Sequence, residues 1–171
     1  QSFTGPGGLV MSGANSRIRI RKLAVEQPEL TGYNVDYALT GGTVEFYSSG
    51  ATQQQLMRGN FTTSGGTTKL VDYYNIDINA DAANWSTTST FADAGNVNMA
   101  SSCKLTGTLN VNAPAVFRMD KTDAISNGTG SSQVINIKDY AGLLYGSPNG
   151  IKNSGTGTSD GNFRTSGTRN F

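Results

Sequence analysis

The chain is 171 residues long, and glycine, threonine, asparagine and serine supply 75 of them, while Asp, Glu, Lys and Arg together make up 15%. That composition is poor in the residues long helices need, and its evenly scattered aliphatic and aromatic pairs argue against disorder, leaving an all-β chain with many tight turns. A net charge of +1 gives no electrostatic case for nucleic acid or an acidic membrane surface.

No apolar run approaches the ~20 residues of a membrane span. The absence of histidine removes Ser-His-Asp and Cys-His catalysis and the commonest metal ligand. The lone Cys103, between Met99 and Leu105, reads as a small core residue rather than a reactive thiol.

In chain order, residues 1–16 are glycine-rich and read as a turn region around Thr4–Gly8. Arg17–Arg21 then alternates, with Ile18 and Ile20 on one face and three arginines on the other. This is the outer face of a strand, partly neutralised by Glu26 and Glu29, rather than a polyanion site, since no aromatic is interleaved. Tyr33–Leu39 and Thr43–Tyr47 are predicted strands, joined by Thr40-Gly41-Gly42. Ser48–Gln55 is polar without period, and Lys69–Asn79 contains Leu70 and the alternating pair Ile76/Ile78, which reads as a strand. One of Tyr73 and Tyr74, just before that pair, belongs in the core. Further alternating pairs are Val97/Met99, Leu109/Val111, Phe117/Met119 and Ile135/Ile137. Ile125 stands alone, Leu143–Tyr145 is a last short apolar run, and 146–171 is again turn-rich.

Leu105–Asp120 sets the pattern: a strand around Leu109 and Val111, a corner at Ala113-Pro114, and a strand around Phe117 and Met119. Other segments echo it. Leu39-Thr40-Gly41-Gly42-Thr43-Val44 is answered by Leu105-Thr106-Gly107-Thr108-Leu109, and Gly59–Gly65 by Gly161–Gly167, at unequal offsets. Strands this short with gaps this uneven favour a parallel β-helix or solenoid of short strands with Gly/Asn/Thr-rich turns over the alternative, an antiparallel β-sandwich. Asn79, Asn96, Asn98, Asn110, Asn112 and Asn136 would suit ladders of stacked amides at the corners.

Candidate chemistry is thin. Asp77-Ile78-Asn79-Ala80-Asp81 opens like a calcium loop, but Ala82 stands where the loop needs glycine and Thr88 where it needs the bidentate Glu. It therefore reads as outward strand residues. Asp120 and Asp123 flank Lys121-Thr122 in a turn and read as caps rather than a catalytic pair. Trp85, in a polar stretch, and Tyr140 are the candidate glycan contacts. No cofactor or metal site is assigned.

The phrases Gly42–Gln53, Tyr73–Asn79 and Thr106–Asn112 together resemble recurrent phrases of giant adhesin and gliding-type proteins exported by the type IX secretion system, and Gly161–Phe171 is similar to the opening of a further unit. The resemblance implies a non-catalytic β-solenoid stalk or adhesive surface on the outside of a bacterial cell. Its implied partners are neighbouring repeats of the same chain, surface glycans and the secretion machinery. The expectation is one solenoid segment over 1–171, an internal piece of a longer repetitive polypeptide, with 1–16 and 146–171 as flanking repeats. The rivals are a carbohydrate-binding module and a carbohydrate-active β-helix enzyme.

Overall fold

A computed structural model describes residues 7–21, 35–48, 55–57, 59–63, 65–80, 96–99, 101–119, 124–129, 132–147, 150–151 and 161–171. Eighteen strands form among them. In chain order they are β1 (Gly7–Met11) and β2 (Arg17–Arg21); β3 (Val35–Leu39), β4 (Thr43–Ser48) and β5 (Gln55–Met57); and an inserted pair, β6 (Asn60–Thr62) and β7 (Thr68–Leu70). Then follow β8 (Asp72–Tyr73), β9 (Asn75–Ala80) and β10 (Asn96–Met99); β11 (Cys103–Leu105), β12 (Thr108–Val111) and β13 (Val116–Met119); β14 (Ile125–Asn127), β15 (Val134–Ile137) and β16 (Gly142–Tyr145); and β17 (Phe163–Arg164) with β18 (Thr168–Asn170).

The fold is all-β with mainly parallel sheets. β8-β11-β14-β17 make one four-stranded sheet in that spatial order, with β3 of the pair β1-β3 in contact with β8. β2-β4-β9-β12-β15-β18 make a six-stranded sheet, and β5-β10-β13-β16 a second four-stranded one. Every pairing between described strands is parallel except the β6–β7 hairpin. The antiparallel sandwich is therefore not the architecture. From β8 onward the chain visits the three sheets in one fixed order, so each strand lies beside the corresponding strand of the next round.

The period-2 pattern fixes what faces inward. In the six-stranded sheet Val44, Ile76, Leu109 and Ile135 form one registered column, and Phe46, Ile78 and Val111 another. All seven are buried. Val97 stacks on Phe117, and Met57 on Met99, in the third sheet, where Met119 is buried too. Cys103, Ile125 and Phe163 line up in the first. Each such fully buried aliphatic or aromatic side chain contributes roughly 1.5–3 kcal/mol relative to exposure. Tyr73 is the tyrosine that enters the core, edge-on to Phe46 at 6.0 Å, and burial pushes its phenol well above the ordinary range.

The strand–corner–strand reading of 105–120 holds: β12, a turn closed by Ala115 N to Asn112 O (2.8 Å), then β13. Backbone pairing runs on through the corners, from Asn112 N to Ile78 O (3.0 Å) and from Lys138 N to Val111 O (3.0 Å). The Leu39 and Leu105 phrases occupy matching places, each ending a strand just before Thr43 or Thr108 opens the next in the six-stranded sheet. At that corner Gly107 lies so close to the previous round that a Cβ would meet Tyr74 O at 2.7 Å and Asn75 Oδ1 at 2.5 Å.

Several expectations need correction. The Ile76/Ile78 strand is β9, but the segment before it, from Lys69, holds part of β7 and all of β8 as well. The flanks read as turn-rich contain β1, β17 and β18, and lone Ile125 opens β14. The Gly59 and Gly161 phrases are not equivalent, because Phe61 sits in the antiparallel hairpin, packed on Tyr37 at 4.9 Å, while Phe163 sits in a parallel strand.

Candidate functional surface: a ladder seeded by carboxylates

The outward face of the six-stranded sheet carries the most organised polar chemistry. One registered column runs Arg19, Glu45, Asp77, Asn110, Asn136, Asn170, one residue per strand from β2 to β18. Arg17 Nη1 and Arg19 Nε donate to the two Glu45 carboxylate oxygens at 3.0 Å each, and Arg17 Nη2 reaches Asp77 Oδ2 at 2.9 Å. The Arg19 guanidinium also lies 4.2 Å above the Tyr47 ring centre, a cation–π contact. The arginine stripe is thus an outer strand face, as read. Its counter-ions, however, are Glu45 and Asp77 of neighbouring strands, and an aromatic from the next strand does cover it. Glu26 and Glu29 lie outside the described residues.

Glu45 is only 5% exposed. Burial alone would raise its pKa, but hydrogen bonds from Asn79 and Arg17 and the charges of Arg19 and Arg17 outweigh it, so the carboxyl titrates below its ordinary value. The hydrogen bond to Glu45 holds the Arg17 pKa above its ordinary value, against partial desolvation.

Beyond the charges the column becomes amides. Asn110 Nδ2 donates to Asp77 Oδ1 (2.9 Å), Asn136 Nδ2 to Asn110 Oδ1 (2.8 Å), and Asn170 Nδ2 to Asn136 Oδ1 (2.7 Å). A carboxylate can only accept, so Asp77 forces Asn110 to turn its NH₂ toward β9, which leaves the Asn110 oxygen facing β15. That choice passes down the column. A second, shorter run has the same polarity: Asn79 Nδ2 to Glu45 Oε1 and Asn112 Nδ2 to Asn79 Oδ1, both 2.9 Å. The expected amide ladders therefore form at Asn79, Asn110, Asn112 and Asn136, with Asn110 and Asn136 mid-strand on the sheet face rather than at corners, whereas Asn96 and Asn98 are in register with Val116, Leu56 and Arg118 and not with amides. Asp77 and Asn79 of the calcium-like phrase are absorbed by the ladders, while Asp81 lies outside the described residues. Both Asp77 oxygens and the Asn79 oxygen already hold strand partners. Among the described residues no three His, Cys, Asp or Glu side chains gather into a metal-holding group.

Tyr140 lies at the rim of this face, in the turn from β15 to β16 closed by Ala141 N to Lys138 O (2.9 Å). It is 93% exposed and has φ +62°, the left-handed region that glycine or asparagine usually occupies. The same corner one round earlier holds Ala113-Pro114. Trp85, Asp120 and Asp123 lie outside the described residues.

A separate polar knot marks a different corner, where Thr106 Oγ1 donates to Asp72 Oδ1 (2.8 Å) and itself accepts from Thr129 N (2.8 Å). Cys103 is fully buried. Among the described residues no helix is long and apolar enough to cross a membrane. Alternation in the sequence pointed to the arginine stripe; Glu45 and the Asn170 link were missed, because a single Glu within Thr43–Tyr47 and a C-terminal Asn carry no local signal. No protein family, curated protein or solved structure matches the chain.

Proposed function

We propose that the chain is a segment of a parallel β-solenoid, with a structural and adhesive role on the outside of a bacterial cell and no catalytic activity. The observation that carries this reading is the fixed order in which successive rounds visit three parallel sheets, with apolar columns inside and polar ladders outside. Each round would add about 4.8 Å of length. The polar side chains of the ladder face are engaged with one another, which suits a rod that must hold register more than a site that must turn over a substrate. Neighbouring repeats are the natural partners, because a parallel stack offers its end strands for further pairing. The sequence phrases similar to type IX-exported adhesins supply the cellular setting.

Two measurements test this. Asn110→Cys with Asn136→Cys places thiols on register partners, within the Cα separation of about 4.4–6.8 Å that a disulfide spans, whereas Asp77→Cys with Asn136→Cys places them two strands apart. Oxidation should link the first pair and not the second; the reverse, or neither, overturns the stack. The intact mass of the polypeptide in surface extracts of its source should far exceed 18.0 kDa. A species of that mass confined to the cell interior overturns the stalk reading.

A further inference from the structure

We propose that the amide half of the six-stranded sheet, with Tyr140 at its rim, binds a neutral polyhydroxylated ligand, a glycan chain lying on the sheet. The inference deepens the adhesive reading above and rests on it only for the outward placement of that face.

The first argument is chemical. Within the ladder Asn110 and Asn136 each spend one N–H and one oxygen lone pair on strand neighbours. Each keeps a second N–H and a second lone pair. A donor beside an acceptor is the complement of a vicinal diol, and the ladder repeats that pair at the inter-strand spacing of about 4.8 Å. The ladder also fixes the side-chain torsions, so little rotamer freedom is left to lose when a ligand arrives.

The second argument is electrostatic. The outward strand residues of β12, β15 and β18 are Thr108, Asn110, Val134, Asn136, Thr168 and Asn170, all uncharged. The charges lie at the other end of the column, and there Arg17 and Arg19 are matched by Glu45 and Asp77. The amide half itself carries no charged outward strand residue, so a polyanion finds no positive field there, whereas a neutral glycan needs none.

Tyr140 supplies the third argument. A tyrosine in the left-handed region costs energy, and at 93% exposure it regains none by burial. The turn holds an aromatic ring out into solvent beside Lys138 and Asp139, both exposed. A flat ring with a polar tip, presented at the edge of a hydrogen-bonding surface, is suited to stack against the apolar face of a pyranose.

The experiment is affinity electrophoresis of the full chain through gels containing a neutral polysaccharide (mixed-linkage β-glucan, galactomannan or glycogen) or a polyanionic one (alginate or heparin). Retardation is expected in at least one neutral gel. Tyr140→Phe should keep it and Asn170→Ala should weaken it. Tyr140→Gly, which removes the ring and relaxes the backbone, should cut affinity roughly tenfold or more with Tm unchanged or raised. Retardation in no gel, or only in the polyanionic gels, overturns the proposal, as does full retention by Tyr140→Gly. The two readings fail separately: if the Asn110/Asn136 double-cysteine variant links while the unsubstituted chain ignores neutral glycans, the binding face alone falls, and a variant that fails to link sinks the stack beneath it.

Discussion

Replacing Asn110 by Asp keeps the size of the side chain but sets a second acceptor-only group against Asp77, to which Asn110 now donates at 2.9 Å. Two like charges about 5 Å apart repel by about 0.8 kcal/mol in bulk water and about 3 kcal/mol at an effective dielectric constant near 20. A half-buried sheet face lies between those limits. The lost donation adds about 1 kcal/mol, while the Asn136 NH₂ still finds an oxygen to bond. The expected cost at pH 7 is therefore about 2–4 kcal/mol. Asn136→Asp is the internal reference: its ladder neighbours are the amides of Asn110 and Asn170, so it loses one donation and meets no like charge, costing about 0–1 kcal/mol. Urea unfolding of both variants at pH 7 should show the gap. The gap should close toward pH 4, because repulsion raises the folded-state pKa of the new carboxyl, and the penalty builds only as pH climbs from the unfolded carboxyl range to that raised value. Equal costs at pH 7, or a gap that persists on acidification, would refute the inferred polarity of the ladder.

The other predictions concern the core, the ion cluster and a corner. Phe117→Ala, at a fully buried position stacked on Val97, should lower stability by about 3–5 kcal/mol in the same urea assay; a loss under 1 kcal/mol would mean the column is not packed as described. Glu45 titrates below its ordinary value in the folded chain, so its contribution is complete above the unfolded carboxyl range and is lost as pH falls through the lowered folded pKa. Thermal melts should show stability level from pH 8 to about 5 and declining below. Because Arg17 and Arg19 are about half exposed, Glu45→Gln should cost only about 1 kcal/mol at neutral pH and flatten that acid limb; an unchanged limb would show that other carboxyls set it. Gly167→Ala should cost about 1–3 kcal/mol, since a Cβ there would overlap the Gln133 carbonyl of the round before. A neutral outcome would mean the corner is looser than its backbone contacts imply.

Much of the strand content was legible because alternation survives even in four-residue strands such as Thr108–Val111. The parallel stacking was legible only as a preference, from the uneven spacing of echoes. Register partners lie 26 residues apart at Arg19–Glu45, 33 at Asp77–Asn110, 26 at Asn110–Asn136 and 34 at Asn136–Asn170, so no single period could reveal them. The hairpin β6–β7 and strand β5 were missed because Gln55-Leu56-Met57 and Thr68-Lys69-Leu70 are too short to alternate. On the candidate surface the amides were flagged one by one, but their order was not. Order depends on which residues the rounds bring into register, and on one acceptor-only neighbour, Asp77, that turns all the others.

That one-way ladder has an electrical consequence. With every NH₂ pointing toward β9 and every oxygen toward β18, the side-chain dipoles add head to tail, much as peptide dipoles add along a helix axis. The positive pole falls on the Asp77 carboxylate, where an acid is most favoured, and each link polarises the next. The negative pole is the Asn170 oxygen on β18, the last described strand of the sheet. The six-stranded sheet is thus polarised from strand to strand by its side chains alone, although the strand dipoles, which run across that direction, contribute little to it. A donor or cation arriving at the β18 end would complete a circuit that begins at two arginines five strands away.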